Sequence, residues 1–407
     1  MKKIFRYIWR CLRTLSESFA LEAKGIWHDQ GVILFFLFLP LVYPVIYSLI
    51  YNPEIVREVE VVVVDNDRTP LSRDLVRRFD ATQGAKVIGY AANLEEAKRA
   101  MHEHKAFAIL EVPDHFESDV ANNLGATVPM YCDMSLLLRY RALLFSATDL
   151  QLAMGAEIQA KSIAALGVES LASSSDPAPI ESGSLGNLES GFDSFIMPGV
   201  LMLILQQCIV LAVGMMGGRR WEEARMGVMP FNSVGGPVVL TLIGRATCYI
   251  VILAVPLLWL AHFVPVVFRF PMMGDMLEIF AFLLPLVLAS ISLGFIIQCF
   301  TTERESIFLI WVATSVFFLF LSGLTWPRYA FSEGWTLISD LIPATWGVNG
   351  FIVMNANGAS LSDVWGDYTS LWILTAFYFA IAWALHRFWL RPHLSRLAHR
   401  SAPLAPA

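Results

Sequence analysis

The chain has 407 residues, of which 56% are hydrophobic and only 16% charged, with a net charge of −6. Soluble domains average ~45–50% apolar and ~25% charged, and here the apolar residues gather into uncharged runs of roughly 20 residues, the length that crosses ~30 Å of hydrocarbon as a helix. An ordinary soluble enzyme, with periodic apolar residues broken by charges, is excluded; a multi-pass membrane protein is indicated.

The charge is uneven. Segment 52–193 carries 22 acidic and 12 basic residues, near −10 by itself, which argues against nucleic acid as a partner. The five cysteines are Cys11, Cys132, Cys208, Cys248 and Cys299. They form no C-x-x-C pair and only Cys132 falls in that segment, so neither a disulfide framework nor a zinc-site spacing is present.

Residues 1–30 are too long and too charged for a cleavable leader. Ile4, Ile8, Leu12, Leu15 and Phe19 make one helical stripe and Arg6, Arg10, Arg13 and Glu17 another, the pattern of an amphipathic helix lying at a membrane surface. A first span follows over 31–51, with Pro40 and Pro44 tolerated because neighbouring helices can satisfy freed carbonyls.

Segment 52–193 reads as a small α/β domain. Val61-Val62-Val63-Val64 is a buried strand within 58–65, ended by the turn signal Asp65-Asn66-Asp67. Ser72 is expected to cap a helix to Asp80, and Asn93 one over 94–103, where Glu95 and Glu96 suit the positive helix start. Strands are expected at 85–90, 106–112 and 127–133, with a short helix begun by Pro113-Asp114. A long helix at about 135–167 has Leu137, Leu144, Ala147, Met154 and Ile158 expected near one face. Residues 173–191, rich in Ser, Pro and Gly, read as a linker. His102, His104 and His115 are close in sequence, but His102 and His104 fall on different helix faces and no cysteine joins them.

Five more spans are expected within 194–390: about 195–216, 238–262, 276–300, 307–324 and 371–390. A shorter apolar stretch, 335–354, contains Pro343, Gly347 and Gly350 and reads as a re-entrant hairpin, about 325–355 with its flanks, rather than a seventh span. A coupling loop occupies 217–236, and a tail 391–407. The short loops fix orientation. Lys2, Lys3, Arg6, Arg10, Arg13 and Lys24 precede the first span; Arg219, Arg220 and Arg225 follow the second, Arg304 the fourth, and Arg391, Arg396 and Arg400 the sixth. Both termini are therefore expected in the cytoplasm, with the α/β domain and the hairpin outside. The fold class is a membrane all-α bundle of six transmembrane helices with an inserted extracytoplasmic α/β domain.

Within the spans, Gln206 and Gln207 need partners in lipid and are expected to face the bundle or a substrate path. Arg245, two turns into the third span, can snorkel to the cytoplasmic surface. No chain of intramembrane carboxylates or inverted repeat supports a proton-driven carrier. There is no G-x-x-x-x-G-K-[ST] loop, H-E-x-x-H or G-x-S-x-G; Glu181 to Gly186 is a serine run, not a nucleophile turn. The chain reads as no enzyme in its own right, and any ATP must bind another chain.

The order of elbow helix, span, outward α/β domain, five spans and broken hairpin resembles the permease subunit of type 2 ABC exporters over nearly the whole chain. Glu22-Ala-Lys-Gly-Ile-Trp-His-Asp29 looks like the charged stretch before that family's first span. Arg219-Arg-Trp-Glu-Glu-Ala-Arg-Met-Gly227 looks like its coupling helix: Glu223 and Gly227 match, whereas Val228 and Pro230 stand where Thr and a second acid are usual. Gly244-Arg245 stands where Gly-Lys is common, and Gly323 to Pro327 with Pro343 resembles the hairpin. The resemblance implies a multi-pass protein of a bacterial inner membrane, paired with a second permease copy or paralogue and docked on an ABC ATPase subunit that holds ATP and Mg. A periplasmic adaptor and outer-membrane channel are further partners it allows. It places Glu22, Asp29, Arg219, Arg220, Glu222, Glu223, Arg225 and Gly227 at the ATPase coupling surface. The function implied is multidrug-type efflux, moving a drug-like or lipophilic compound outward from the cytoplasm or inner leaflet. The alternative is a non-transporting receptor or assembly scaffold with an outward ligand-binding domain.

Overall fold

The computed structural model describes residues 2–51, 55–122, 124–165, 191–228 and 236–401, the side chains of 2–7 and 162–165 excepted. Nearly all of the expected linker and residues 229–235 of the expected coupling loop, Pro230 included, lie outside the described residues.

In chain order the elements are α1 (Lys2–Trp27), α2 (Gln30–Tyr51), β1 (Val59–Asp65), α3 (Pro70–Asp80), β2 (Ala85–Tyr90), α4 (Leu94–His102), β3 (Ala108–Val112), α5 (Phe116–Ala121), β4 (Met130–Cys132) and α6 (Leu137–Ala165). Then come α7 (Phe192–Arg225), α8 (Val238–Phe268), α9 (Met276–Phe300), α10 (Ser306–Leu321), α11 (Glu333–Asp340), α12 (Pro343–Asn357) and α13 (Trp365–Ser401). The chain divides into two compact units, one of Met1–Asn52 with Ser184–Ala407, the other of Pro53–Gly183.

Among the described residues, the helical unit contains five helices long and apolar enough to cross a membrane: α2, α7, α8, α9 and α13; a sixth results if α11 and α12, bent by 86°, count as one broken span. α10, expected to reach residue 324, stops at Leu321 after 16 residues. α7 is the central helix: 89% of its most apolar window is buried, against 22% for α2 and α13. Its neighbours include α2, α9, α10, α12 and α13. α7 also corrects the expected loop. Residues 217–225 are not a loop but the last turns of the same 34-residue helix, because nothing between Met216 and Arg225 breaks the helical hydrogen bonding. Gly217 and Gly218 instead allow close packing: a Cβ on Gly218 would lie 2.6 Å from the Arg304 backbone nitrogen, and one on Gly217 2.9 Å from the Gln298 Cα. α7 ends at Gly227, whose φ of 78° suits glycine alone at low cost.

The α/β unit is a four-stranded sheet of order β2-β1-β3-β4. β1 is parallel to β2 and β3, and β4 runs antiparallel to β3. β1 explains the four-valine run. Val61 and Val63 pack with Leu75, Phe79, Leu143 and Met154, whereas Val62 and Val64 pack with Ala97, Ala106 and Ile109. Both faces are covered by helices, so alternation is lost. Asn93 accepts from the Glu96 N–H and caps α4. Thr69, not Ser72, caps α3: its hydroxyl accepts from the Ser72 N–H at 3.2 Å, and Pro70 holds the first helical position. Ser72 spends its own hydroxyl on Asp65, at 2.9 Å. On α6, Leu143, Met154 and the half-buried Ala147 and Ile158 face the sheet. Leu137 and Leu144 point outward, 68% and 41% exposed, because polar and apolar residues are mixed around α6 and its periodicity marks no single face.

Candidate functional site

The most polar part of the helical unit is buried where α1, α7, α8, α9 and α13 meet. Its centre is Glu22, on the face of α1 turned away from solvent. The Glu22 carboxylate is ion-paired with the Arg220 guanidinium of α7, and lies 3.2 Å from Arg245 Nε of α8. One turn further along α8, the Tyr249 hydroxyl donates to Glu22 Oε1 at 2.5 Å. Gln298 of α9 receives both guanidiniums: its Oε1 accepts from Arg220 Nη1 at 2.8 Å and from Arg245 Nη2 at 2.7 Å. Its amide nitrogen donates to His386 Nε2 of α13 at 3.0 Å. His386 Nδ1 lies 2.7 Å from the Ala382 carbonyl. A carbonyl can only accept, so Nδ1 carries the proton and Nε2 is left to accept.

None of the charged groups reaches solvent: Glu22, Arg220 and Arg245 are 4%, 8% and 3% exposed. Aromatic walls enclose them. The Arg245 guanidinium sits 4.9 Å over the Phe295 ring, and Tyr249 packs edge-on to Phe36 and Phe295. Burial alone pushes the Glu22 carboxyl up, but the two arginines outweigh it and hold the group down at about 2. Two positive charges therefore meet one carboxylate, the remainder being spread over the Gln298 oxygen and the Phe295 ring.

A second, more open ridge adjoins this cluster. Arg304, in the turn after α9, bridges Asp29 at 2.9 Å and Glu222 at 2.7 Å. Asp29 also caps α2 by accepting from the Val32 N–H at 3.3 Å. Arg219 pairs with Glu223 at 2.8 Å and donates to the Gly25 carbonyl of α1 at 2.6 Å. Arg225 reaches Glu303 at 3.6 Å, both well exposed. Thus the junction of α1 with α2, the end of α7 and the α9–α10 turn are tied by charge.

The structure brings together Glu22, Asp29, Arg219, Arg220, Glu222, Glu223 and Arg225, while Gly227 follows the helix that carries five of them. It separates them by depth. Glu22 and Arg220 are enclosed by the chain's own helices and offer a docked protein no surface; Arg225 does. Sequence reasoning missed Tyr249, Gln298 and His386, and sent Arg245 to the surface. Arg245 does not snorkel: the Glu22 carboxylate pairs with it and its Nη2 donates to Gln298 inside, although its Nη1 has no hydrogen-bond partner among the described residues. The signal available was the spacing of Arg245 and Tyr249, one turn apart on one face. Gln206 and Gln207 are not near this cluster's ligand set. Gln206 Oε1 caps α12 by accepting from the Ala344 N–H at 2.6 Å, and the buried Gln207 amide has no hydrogen-bond partner among the described residues. Among those residues no group of three His, Cys, Asp or Glu side chains could hold a metal, so His102, His104 and His115 form no such group.

Apolar helices of membrane length around a buried ionic cluster define a multi-pass membrane protein. The family model described as ABC-2 family transporter protein matches residues 31–384, and the chain belongs to that family. A comparison with curated proteins gives no match. Members of the family are membrane components without an ATPase domain, and membership implies an ABC ATPase partner.

Proposed function

We propose that the chain is the permease subunit of an ATP-driven exporter that moves a drug-like or lipophilic compound outward from the cytoplasm or inner leaflet. The observation that supports this best is the grouping of ion pairs at the end of α7: the exposed Arg225–Glu303 pair, Arg304 with Asp29 and Glu222, and Arg219 with Glu223, next in the chain to the buried Glu22–Arg220–Arg245 centre. A docked ATPase gripping the open ridge could move α1, α2, α7, α8 and α9 together. Glu22 and Arg220 act in this reading as an internal lock, and Glu222, Glu223 and Arg225 as the gripped surface, with Gly227 setting the turn. ATP and Mg belong to the partner subunit.

The spans in this reading are α2, α7, α8, α9, α10 and α13, with both termini and the ridge cytoplasmic in a bacterial inner membrane. α10 is about 24 Å long and spans by local thinning of the bilayer. The bent pair α11–α12 is a hairpin at the outer side, and the α/β unit faces the periplasm, where an adaptor and outer-membrane channel would reach it. A second copy or paralogue completes the pathway. Gln207, a mid-span amide without a hydrogen-bond partner among the described residues, lines the substrate path.

The test is recovery of an ATPase with the full chain in lipid nanodiscs, followed by hydrolysis assays on wild type and Glu223→Arg, which sets like charges beside Arg219. A co-purified ATPase whose substrate-stimulated rate falls about tenfold in the variant, within the usual range of coupling energies, supports the reading. Folded protein that never recovers an ATPase sinks it in favour of a receptor or scaffold.

A further inference from the structure

The α/β unit contains a cavity of about 650 Å³ between α3, α5, the β3–β4 edge and α6. Its walls are Leu75, Phe79, Leu110, Phe116, Met130 and Met154, and among the described residues none of its lining side chains is ionisable. Small-molecule sites typically enclose ~300–1,000 Å³, mostly apolar with a few convergent polar groups. Here the polar groups are Thr127, Gln151 and Gln159, on the exposed margin. Water is a poor occupant of such a space, because each ordered water needs 2–4 polar partners.

Two exposed glycines, Gly125 and Gly155, are among the lining residues. Gly155 lies in the middle of α6, yet a Cβ built on it meets nothing within 4 Å, and the same is true of Gly125. Glycine inside a helix is unfavourable relative to alanine, and at Gly155 no close approach among the described residues explains it. Its effect is to leave the opening wide. Met130 and Met154 are flexible side chains that adapt to irregular apolar shapes.

The geometry points to a binding site in the α/β unit for an uncharged lipophilic molecule with a hydroxyl- or amide-like polar end. The apolar body lies among Leu75, Phe79, Phe116 and Met154, and the polar end meets Gln151, Gln159 or Thr127. A cationic or anionic compound is excluded from the interior, where no opposite charge awaits it. This assignment stands whether or not the chain exports anything, since it rests on the α/β unit alone.

The test uses the full chain in lipid nanodiscs and a fatty alcohol carrying a photoreactive diazirine, with adducts mapped by peptide mass spectrometry. Adducts on α2 and α8, which face lipid, serve as the internal reference. We expect adducts on residues 124–130 and 147–159 that excess unlabelled alcohol removes. Gly155→Trp, which fills the mouth from a position with free space, should cut these adducts about tenfold while leaving the reference and the thermal midpoint unchanged; Gly155→Ala should leave them in place. Absence of adducts at the cavity, adducts that do not compete, or adducts indifferent to Gly155→Trp would each overturn the site. Disulfide cross-linking of a Thr127→Cys variant to a second copy, in place of labelling by the probe, would overturn it too, by making the cavity a protein contact.

Discussion

The carboxylate of Glu22, on the first helix, lies 3.2 Å from the guanidinium of Arg245 in the midst of α8. Neither residue has another route to solvation, since both are enclosed and each relies on the other, with Arg220 and Gln298 closing the set. Breaking a buried pair by removing one partner costs about 3–5 kcal/mol. Glu22→Gln leaves two guanidiniums without an anion and should lower the thermal midpoint of the full chain sharply. Glu22→Leu with Arg245→Met, which removes one charge of each sign, should recover part of that loss. A double variant no more stable than Glu22→Gln would show that Arg220 alone carries the pairing.

The same pair fixes a pH dependence. The Glu22 carboxyl is held at about 2 in the folded chain against an ordinary 4.5. Its folded value is depressed, so its contribution is complete above pH 4.5 and fades as pH falls toward 2. The size is on the order of 3 kcal/mol. The difference in stability between wild type and Glu22→Gln should therefore be flat from pH 8 to pH 5 (roughly the range in which the carboxyl stays ionised) and shrink below it. A difference that shrinks instead as pH rises through neutrality would mean that another group sets the lock.

Close packing gives a second kind of sensitivity. Gly218 leaves room for the Arg304 backbone, which a Cβ would meet at 2.6 Å. Backbone cannot swing aside as a side chain can, so Gly218→Val should cost about 1–3 kcal/mol by overpacking. It should also separate Arg304 from Glu222, now 2.7 Å apart. Unchanged stability in Gly218→Val, read by thermal unfolding in nanodiscs, would contradict the packing of α7 on the α9–α10 turn.

Much of this architecture is legible in the sequence, and the parts that are not share a cause. β2 and α9 have the bounds that local signals give, and the valine run of β1 shows its burial on both faces. Local rules fail where two of them compete. Ser72 and Thr69 are both good caps, and Pro70 decides between them. α7 carries its arginines straight on from the apolar run, because charge marks the edge of a membrane but does not end a helix. Leu137 and Leu144 belong to a helix with no polar face to orient them. The cluster around Glu22 is illegible for another reason. Arg245 and Gln298 are each a single charged or amide residue in a largely apolar run and His386 stands at the end of one, and the packing of separate helices reveals that one answers another.

The bridge made by Arg304 offers the most direct measurement of the open ridge. Arg304 touches Asp29 and Glu222 at once, joining the start of α2 to the end of α7. Its side chain is 40% exposed, so solvent screens it and each contact is worth at most ~1 kcal/mol. Asp29 is in the opposite position: its side chain is 4% exposed and it also caps α2. Removing Asp29 therefore costs a cap, about 1 kcal/mol, in addition to the pair. Asp29→Ala should thus destabilise more than Arg304→Ala, and Arg304→Ala more than Glu222→Ala. In a double-mutant cycle the Asp29–Arg304 coupling should be measurable, of order 0.5–1 kcal/mol. If Glu222→Ala proved the most damaging of the three, the ridge would be held by α7 rather than by the start of α2.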